Sequence, residues 1–418
     1  VDRRPSPGYI GGMGGLTYSG TGVDTGRAAE ETAALGRILA ETAAFRTGMG
    51  ESVLENGYYA SALRLTEDLA LGLCTDGVGS KILVAEQLGK LDTIGIDCVA
   101  MNVNDLICIG AEPIAMVDYI GLERLEPGML PEIARGLREG ARQARISIPG
   151  GETAQLPEII RGTVPGKGLD LVGTAVGVVP LARLNDGRGV EPGDVVVGLR
   201  SSGVHSNGLT LARRALFGPD GGGLDVRAPV PEFGRSGGEE LLEPTRIYVR
   251  EVMEMFASGR TIKAVCHITG EGLLNLTRVA APVGWCLDTL PEPHPVFALI
   301  GRLGGVEAAE MFTTFNMGIG LCVVVGEDDV DAGRGRLARQ TGGVSGLPRG
   351  PGIGFVARLG QRAKDLLDEF RRPPGSGAGI EDQDRLAGHG VVIALGLGGR
   401  AQKSRPPASV GGVRPRCS

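Results

Sequence analysis

Residues 69–119 read LALGLCTDGVGSKILVAEQLGKLDTIGIDCVAMNVNDLICIGAEPIAMVDY, and this segment carries the clearest pattern of strands and helices in the chain. Its first apolar run, Leu69–Thr75, is typical of a strand, and Asp76-Gly77 ends that run. Asp97 is expected to cap a helix, because the apolar positions after it follow the helical repeat. Pro113–Ile120 predicts a second strand. The order of strand, glycine-rich turn, helix and strand indicates an α/β unit.

Two polar motifs in this stretch suggest a site for a metal–nucleotide complex. The turn Asp76–Lys81 supplies glycines, which allow backbone N–H groups to approach a phosphate, together with a carboxylate and an ammonium. The pair Asn104-Asp105 adds a second carboxylate for a metal ion. A plain surface turn and an exposed polar pair remain the alternatives. The spacing is not that of a P-loop.

Further polar motifs follow along the chain. Gly150-Gly151-Glu152 places a carboxylate either at a strand end or at a capped helix start. Ser201–Gly208 surrounds His205 with hydroxyl and amide groups suited to a ribose phosphate, and a histidine there could move a proton near neutral pH. A helix cap beside an exposed histidine is the alternative. His267 follows a strand, where a core histidine is the alternative.

Composition narrows the class of protein. The chain has 418 residues, 42% of them hydrophobic and 22% charged, which is ordinary for globular domains. A net charge of −6 argues against nucleic acid as a partner. The seven cysteines form no CxxC pair, and no segment has the length of a membrane span or a signal peptide. We therefore expect a cytoplasmic protein that does not bind membranes.

The strand and helix patterns start again after about residue 190, which predicts two domains of mixed α/β or α+β type. A flexible lead, two folded domains and an atypical tail rich in glycine, proline and arginine are predicted for residues 1–15, 16–185, 186–370 and 371–418.

Seven collinear motifs resemble the phosphoribosylformylglycinamidine cyclo-ligase (aminoimidazole ribonucleotide synthetase) family. They are TDGVGSK, TIGIDCVAMNVNDLICIGAEP, GGETAQLP, SSGVHSNG, LLEPTRIY, HITGEG and TFNMGIG. The resemblance implies a two-domain fold, with an N-terminal domain that forms a β-barrel across a homodimer interface and a C-terminal α+β domain. It also implies ATP and Mg²⁺ as cofactors. The implied reaction is ATP-dependent closure of formylglycinamidine ribonucleotide to aminoimidazole ribonucleotide through an iminophosphate.

The resemblance also assigns roles by motif. The implied catalytic residues are His205, His267 and Lys81. The implied cofactor-binding residues are Asp76, Gly77, Val78, Gly79, Lys81, Asn104 and Asp105. The implied substrate-binding residues are Ser202, His205, Ser206, Asn207, Thr245 and Asn316. The implied metal ligands are Asp76, Asp105 and Glu152.

Three features depart from the family pattern. Glu271 stands where the family has glycine, the residues after Asp328 follow the family poorly, and the tail beyond Phe370 has no recognisable counterpart. Alternative functions are a related kinase or selenophosphate synthetase, and a nucleotide-binding scaffold without turnover. A carrier with a C-terminal thiol is a further alternative, suggested weakly by Cys417.

Overall fold

A computed structural model of the chain describes most residues before 327 and two short strands after them. The described residues are 15–55, 57–287, 290–326, 329, 353–358 and 391–393. The predicted lead and tail, apart from residue 15 and residues 391–393, lie outside this part, as does Cys417.

The N-terminal half builds one five-stranded sheet covered by helices on one face. Its strands follow the order β1-β2-β5-β3-β4, and all neighbours are antiparallel except β3 and β4. The elements are β1 Ser61–Arg64, β2 Leu69–Gly77, β3 Glu112–Leu122, β4 Ser147–Gln155, β5 Leu169–Pro180, α1 Thr25–Ala40, α2 Ile82–Leu88, α3 Ile94–Cys108 and α4 Met129–Ala144.

The other face of this sheet has an apolar, exposed surface. Along β5 the side chains alternate between buried and half-buried, because successive residues of a strand point to opposite faces. Leu73, Val117 and Tyr119 lie on the outer face and are 36%, 44% and 38% exposed. We call this the outer sheet face.

Helix α3 is the centre of the molecule. It packs on β2 and β5, on α4, and on the C-terminal half, and nearly all of its side chains are buried. The two helices α3 and α4 approach closely because Gly95 faces Gly136, where an added Cβ would clash with the backbone of the opposite helix. This close approach packs α3 directly against α4.

The C-terminal half has a four-stranded sheet of order β12-β6-β11-β9, whose described neighbours are antiparallel. The elements are β6 Val195–Arg200, α5 Leu209–Phe217, β7 Pro229–Val230, β8 Arg235–Ser236, α6 Gly237–Leu241, α7 Val249–Ala257, β9 Ile262–His267, β10 Trp285–Leu287, α8 Pro295–Gly304, α9 Ala308–Thr314, β11 Ile319–Val325, β12 Ile353–Arg358 and β13 Val391–Ile393.

The predicted mixture of strands and helices is confirmed, with two local corrections. Helix α3 begins at Ile94, so Asp97 lies inside its first turn and does not cap it. Gly150-Gly151-Glu152 lies within β4, and the helix start considered for it is wrong. Within the described residues, every helix is too short or too polar to cross a bilayer.

Candidate active site

Three polar side chains of α3 reach from the N-terminal half into the C-terminal half. They belong to Asp97, Asn104 and Asp105, which recur at helical spacing so that they lie on related faces of the helix. A buried polar group destabilises a protein unless it is hydrogen-bonded. Each of the three meets a specific partner between residues 205 and 267.

Asp97 is the hub of a buried network. Its Oδ1 lies 2.8 Å from Lys81 Nζ, and Lys81 also donates to the carbonyl of Glu243 at 2.6 Å. The same carboxylate oxygen accepts from the N–H and hydroxyl of Thr245 at 2.7 and 2.6 Å, and from Ser206 Oγ at 3.2 Å. Lys81 and Asp97 are both 0% exposed.

This network gives Lys81 and Thr245 a different setting from the one the family motif implies. Lys81 is enclosed between the two halves and its ammonium is already paired, so it does not face an open phosphate site. Thr245 is 1% exposed and serves the same carboxylate. Both residues are therefore placed to hold the halves together.

Asn104 fixes the backbone that follows Thr245. Its Nδ2 donates to the carbonyl of Arg246 at 2.9 Å, and its Oδ1 accepts from the N–H of Tyr248 at 3.0 Å. Its side chain is fully buried. The geometry places Asn104 as a clamp on this loop, away from any open nucleotide surface.

Asp105 and His267 form a dyad. His267 Nδ1 lies 2.8 Å from Asp105 Oδ1, and its Nε2 lies 3.5 Å from Asn104 Nδ2. With a proton on Nδ1, the ring donates to the Asp105 carboxylate. His267 is 0% exposed. It orients the Asp105 carboxylate, as an imidazole does behind a metal ligand.

Asp76 lies beside this dyad at the end of β2. Burial and the nearby Asp105 carboxylate raise the pKa of Asp76 to about 6, while the N–H of Gly77 and the charges of His267 and Arg278 oppose the rise. The N–H of Gly77 donates to Asp76 Oδ1 at 2.7 Å. Two carboxylates held together in this way repel each other, and a cation placed between them would relieve that repulsion.

The carboxylate pair fits Mg²⁺ bound together with a nucleotide. Mg²⁺ keeps several water ligands and is commonly held by one or two carboxylates plus phosphate oxygens. The described residues contain no cluster of three or more metal-binding side chains. Asp76 and Asp105 therefore match the kind of Mg²⁺ site in which protein carboxylates and nucleotide phosphates both bind the metal. They do not form a site made of protein ligands alone.

Glu152 is not brought to this pair within one chain. Strand β4 is separated from β2 by β5 and β3, which at about 4.8 Å per strand is about 14 Å. In register, Asp76 lies in one row with Gly173, Asp118 and Gly151, so Glu152 points to the opposite face. Its carboxylate is exposed and accepts from the N–H of Thr153.

The glycine turn after Asp76 is compact and mostly satisfied. The N–H of Val78 donates to the carbonyl of Leu171 at 3.0 Å, and Val78 is fully buried. Gly79 has φ +68°, a left-handed conformation that favours glycine. Gly79 thus lets the chain turn sharply beside the carboxylate pair, directly after Gly77 ends β2.

His205 sits inside the loop Ser201–Gly208 with φ +64°. Its Nε2 accepts from the N–H of Ser202 at 3.1 Å and of Arg246 at 3.5 Å. Burial, aided by the charges of His267 and Lys81, holds the pKa of His205 well below its usual value. The ring is therefore neutral at physiological pH, which argues against the proton transfer predicted from the sequence.

The remaining predicted residues shape the same loop. Ser202 Oγ donates to the carbonyl of Pro244, and Asn316 Nδ2 donates to the carbonyls of Gly203 and Val204. Two buried nitrogens of this loop, His205 Nδ1 and Asn207 Nδ2, find no hydrogen-bond partner among the described residues. Like the buried hydroxyl of Ser201, which also lacks a partner among the described residues, they have capacity for a ligand.

Glu271 is compatible with this backbone. It has φ −104°, an ordinary conformation for any residue, and the glycine that the turn requires is Gly272 at φ +54°. The Glu271 carboxylate lies 3.0 Å from Arg278 Nη2, and the Arg278 guanidinium lies 5.2 Å from the centre of the Tyr59 ring. The positive charge of Arg278 in turn opposes the rise in the pKa of Asp76.

Sequence reasoning missed several residues that build the site. Asp97 was assigned only a capping role, and Arg278 received no role. Asn102, which donates to the carbonyl of Asp76 at 3.0 Å, and Asp118, which shares its register row, were also not singled out. Polar residues in an otherwise apolar helix were the available signal for Asp97 and Asn102.

Two family models match the chain in sequence. The N-terminal domain of AIR synthase related proteins matches residues 57–179, and the C-terminal domain matches residues 191–342. A solved thiamine-monophosphate kinase from Stenotrophomonas maltophilia is 21% identical, with a TM-score of 0.48, over 76% of this chain and 92% of that one.

Relatives with higher sequence identity share one name. The phosphoribosylformylglycinamidine cyclo-ligase of Methanothermobacter thermautotrophicus is 46% identical over 318 residues, covering 76% of this chain and 89% of that protein. The cyclo-ligase of Methanocaldococcus jannaschii is 46% identical over 319 residues, covering 76% and 87%. With both domains matched in order, the chain belongs to the phosphoribosylformylglycinamidine cyclo-ligase family.

Proposed function

We propose that this chain catalyses the ATP-dependent ring closure of formylglycinamidine ribonucleotide to aminoimidazole ribonucleotide, releasing ADP and phosphate. The identity to relatives of that name over most of both chains supports the reaction. The observation in the structure that supports it is the half-buried pair of Asp76 and Asp105, with Asp105 oriented by His267 between the two halves.

The proposed reaction requires a phosphoryl transfer from ATP, and the carboxylate pair is suited to hold the metal ion for that step. An amide oxygen is a poor leaving group, and its phosphorylation to an iminophosphate lets an amidine nitrogen displace it and close the ring. Asp76 and Asp105 would hold Mg²⁺, which neutralises charge on the nucleotide phosphates when bound. The chain's own work is to position two anionic reactants and to exclude water.

The loop Ser201–Gly208 is proposed to face the substrate. His205 Nδ1 and Asn207 Nδ2 are two buried donors of this loop that lack acceptors among the described residues. Because His205 stays neutral, its proposed role is to donate a hydrogen bond and to hold the loop. Lys81, Thr245, Asn104 and Asn316 would act as positioning residues behind this surface.

We also propose a cytoplasmic homodimer. Cys74, Cys98, Cys108, Cys266 and Cys322 are free and buried, as in proteins of a reducing compartment. The outer sheet face is apolar and exposed in the single chain, as expected of a surface that a second copy covers. Closure of two such sheets would give the intersubunit barrel and would bring a partner surface towards the exposed Glu152.

Val117→Asp is expected to convert the dimer to a monomer, because it places a charge in the middle of the outer sheet face. Multi-angle light scattering at micromolar concentration measures the mass. Leu125→Asp is the matched control, since Leu125 is 48% exposed but lies outside the sheet, and it should stay dimeric. A monomeric wild-type protein, or dimers in both variants, would count against this interface.

The catalytic proposal is tested by ADP release with ATP and Mg²⁺, with and without formylglycinamidine ribonucleotide, while aminoimidazole ribonucleotide is followed as product. We expect substrate-dependent ADP and equal amounts of product. Asp105→Asn is expected to lower kcat about 100-fold or more, since it removes a charge that the metal–nucleotide complex requires. ATP binding without any product would assign the chain to another substrate.

A further inference from the structure

A cavity lies beside α5, apart from the carboxylate pair. Its volume is about 690 Å³, within the range of small-molecule sites. Its lining includes Thr21, Gln87, Thr210, Arg213, Phe217 and Pro219, together with the ion pair of Arg214 and Asp220. None of the residues proposed to hold ATP, Mg²⁺ or the substrate lines it.

Helix α5 arranges the chemistry of this cavity. Thr210, Arg213 and Phe217 recur at intervals of three and four residues, so they lie along one face of the helix. The face therefore presents a hydroxyl, a guanidinium and an aromatic ring in sequence. Thr21 adds a second hydroxyl from the segment that precedes α1.

Arg213 carries a charge that the described residues do not compensate. Its side chain is half-buried, and its Nε is buried without a hydrogen-bond acceptor. Burial lowers the pKa of the guanidinium, and the carboxylate of Glu86 only partly offsets this. Glu86 Oε2 accepts from the N–H of Thr163 at 2.9 Å and its Oε1 is buried without a hydrogen-bond partner, so among the described residues Glu86 acts on Arg213 by its charge and not through a hydrogen bond.

The adjacent Arg214 shows what a satisfied guanidinium looks like here. Its Nε and Nη2 lie 2.8 and 2.6 Å from Asp220 Oδ2, and its Nη1 donates to the carbonyl of Gly20 at 3.2 Å. Arg214 is exposed and paired, whereas Arg213 is more buried and lacks such a pair. An uncompensated buried charge destabilises a fold, and an anion would remove that penalty.

We infer that this cavity binds a phosphoribosyl compound, with its phosphate on Arg213. A guanidinium with threonine hydroxyls is suited to phosphate, and the hydroxyls and Gln87 also suit a ribose. Phe217 and Pro219 provide an apolar wall for a planar base. The ligand is either a separate nucleotide effector or the phosphoribosyl end of a substrate.

One hydrogen bond connects the lining of the cavity to the turn Asp76–Lys81. Thr210 Oγ1 lies 3.0 Å from Ser80 Oγ, and Ser80 precedes Lys81 in the turn that begins at Asp76. A ligand that engages Thr210 would compete for this bond. Occupancy of the cavity is thereby linked to the turn beside the carboxylate pair.

Titration calorimetry with AMP in magnesium-free buffer tests the site. Arg213→Gln is expected to raise the Kd for AMP at least about tenfold, since hydrogen bonds to charged groups are the stronger ones. Arg142→Gln is the matched control, since Arg142 is exposed, pairs with Glu139 on α4 and lies outside the cavity, and it should bind as the wild type does. Asp105→Asn should also keep AMP binding, because the carboxylate pair is not the site measured.

A second measurement separates the two sources of the ligand, and it rests on the proposed function. A rise of at least about tenfold in the KM for formylglycinamidine ribonucleotide in Arg213→Gln, without AMP, would assign the cavity to the substrate. An unchanged KM, with AMP binding lost, would assign it to a separate effector. Failure of turnover leaves the AMP titration readable, so the two proposals can fail independently.

Several results would overturn the inference. They are wild-type protein that binds no AMP at millimolar concentration, AMP binding by Arg213→Gln equal to that of the wild type, and AMP binding lost in Asp105→Asn. Arg213→Lys and Thr210→Val guard against a folding defect in the glutamine variant. If thermal melting shows the glutamine variant unfolded, weaker AMP binding by folded Arg213→Lys supports the site, and unchanged binding by both of these variants overturns it.

Discussion

Replacing Lys81 by methionine is expected to lower the free energy of unfolding by about 3–5 kcal/mol. The variant keeps the apolar stem but leaves Asp97 buried without its cation, and Asp97 is 0% exposed. Urea denaturation at neutral pH measures the loss. The effect would be large because the net stability of a domain is itself only about 5–15 kcal/mol.

Lys90→Met provides the matched control. Lys90 pairs with Asp92 at 2.7 Å, but the two side chains are 48% and 42% exposed, so removing the pair should change stability by less than about 1 kcal/mol. The double variant Lys81→Met with Asp97→Leu should recover only part of the loss, because no lone charge remains buried but the N–H of Thr245 loses its acceptor.

The comparison of Lys81 with Lys90 also decides the role of Lys81. If Lys81→Met cost no more stability than Lys90→Met and abolished turnover, the ammonium would belong to the nucleotide, as the family motif implies. A large loss of stability would support its place as a cross-link between the halves.

The example of Asp97 shows what the sequence could not reveal. Strands β2 and β3 followed from their apolar runs, since periodicity is a local property. Asp97 bonds to Thr245, 148 residues away, and Asp105 bonds to His267, 162 residues away. Such pairings depend on how the two halves dock, which a single sequence does not encode in any local pattern.

For Glu152, the sequence predicted a proximity to Asp76 and Asp105 that the structure does not show within one chain. Its motif resembles that of the family, so it was grouped with Asp76 and Asp105. Sheet order decides otherwise within one chain, because two strands intervene between β4 and β2. Strand order could not be derived from periodicity, and the parallel pairing of β3 with β4 was therefore outside what the sequence could predict.

Asp76→Asn is expected to stabilise the metal-free protein above pH 6 and to abolish turnover. Burial and Asp105 raise the pKa of the folded carboxyl from 3.8 to about 6. The folded state therefore favours the protonated acid. That stabilising contribution is complete below about pH 4 and is lost as the pH rises through about 6. Above pH 6 the ionised carboxylate costs the folded state at most about 3 kcal/mol.

Asparagine removes this cost because it is neutral at every pH. Thermal melting with a chelator at pH 5 and pH 8 should show the variant gaining stability over the wild type mainly at pH 8. Asp68→Asn is the matched control, since Asp68 precedes β2, is exposed and bonds only to Thr66 among the described side chains. Its effect should be small and nearly the same at both pH values.

Mg²⁺ with ATP should reverse the order of stability. A ligand that binds the folded state raises the melting temperature by mass action, so wild-type protein should gain at pH 8 and Asp76→Asn should not. If Asp76→Asn is more stable than the wild type but no longer binds Mg²⁺ with ATP, the ionised carboxylate pair lowers the stability of the metal-free protein and is needed to bind the cation. A variant that gains nothing in chelator would show that Asp76 is well solvated, and the pair would then lack the repulsion from which its function was argued.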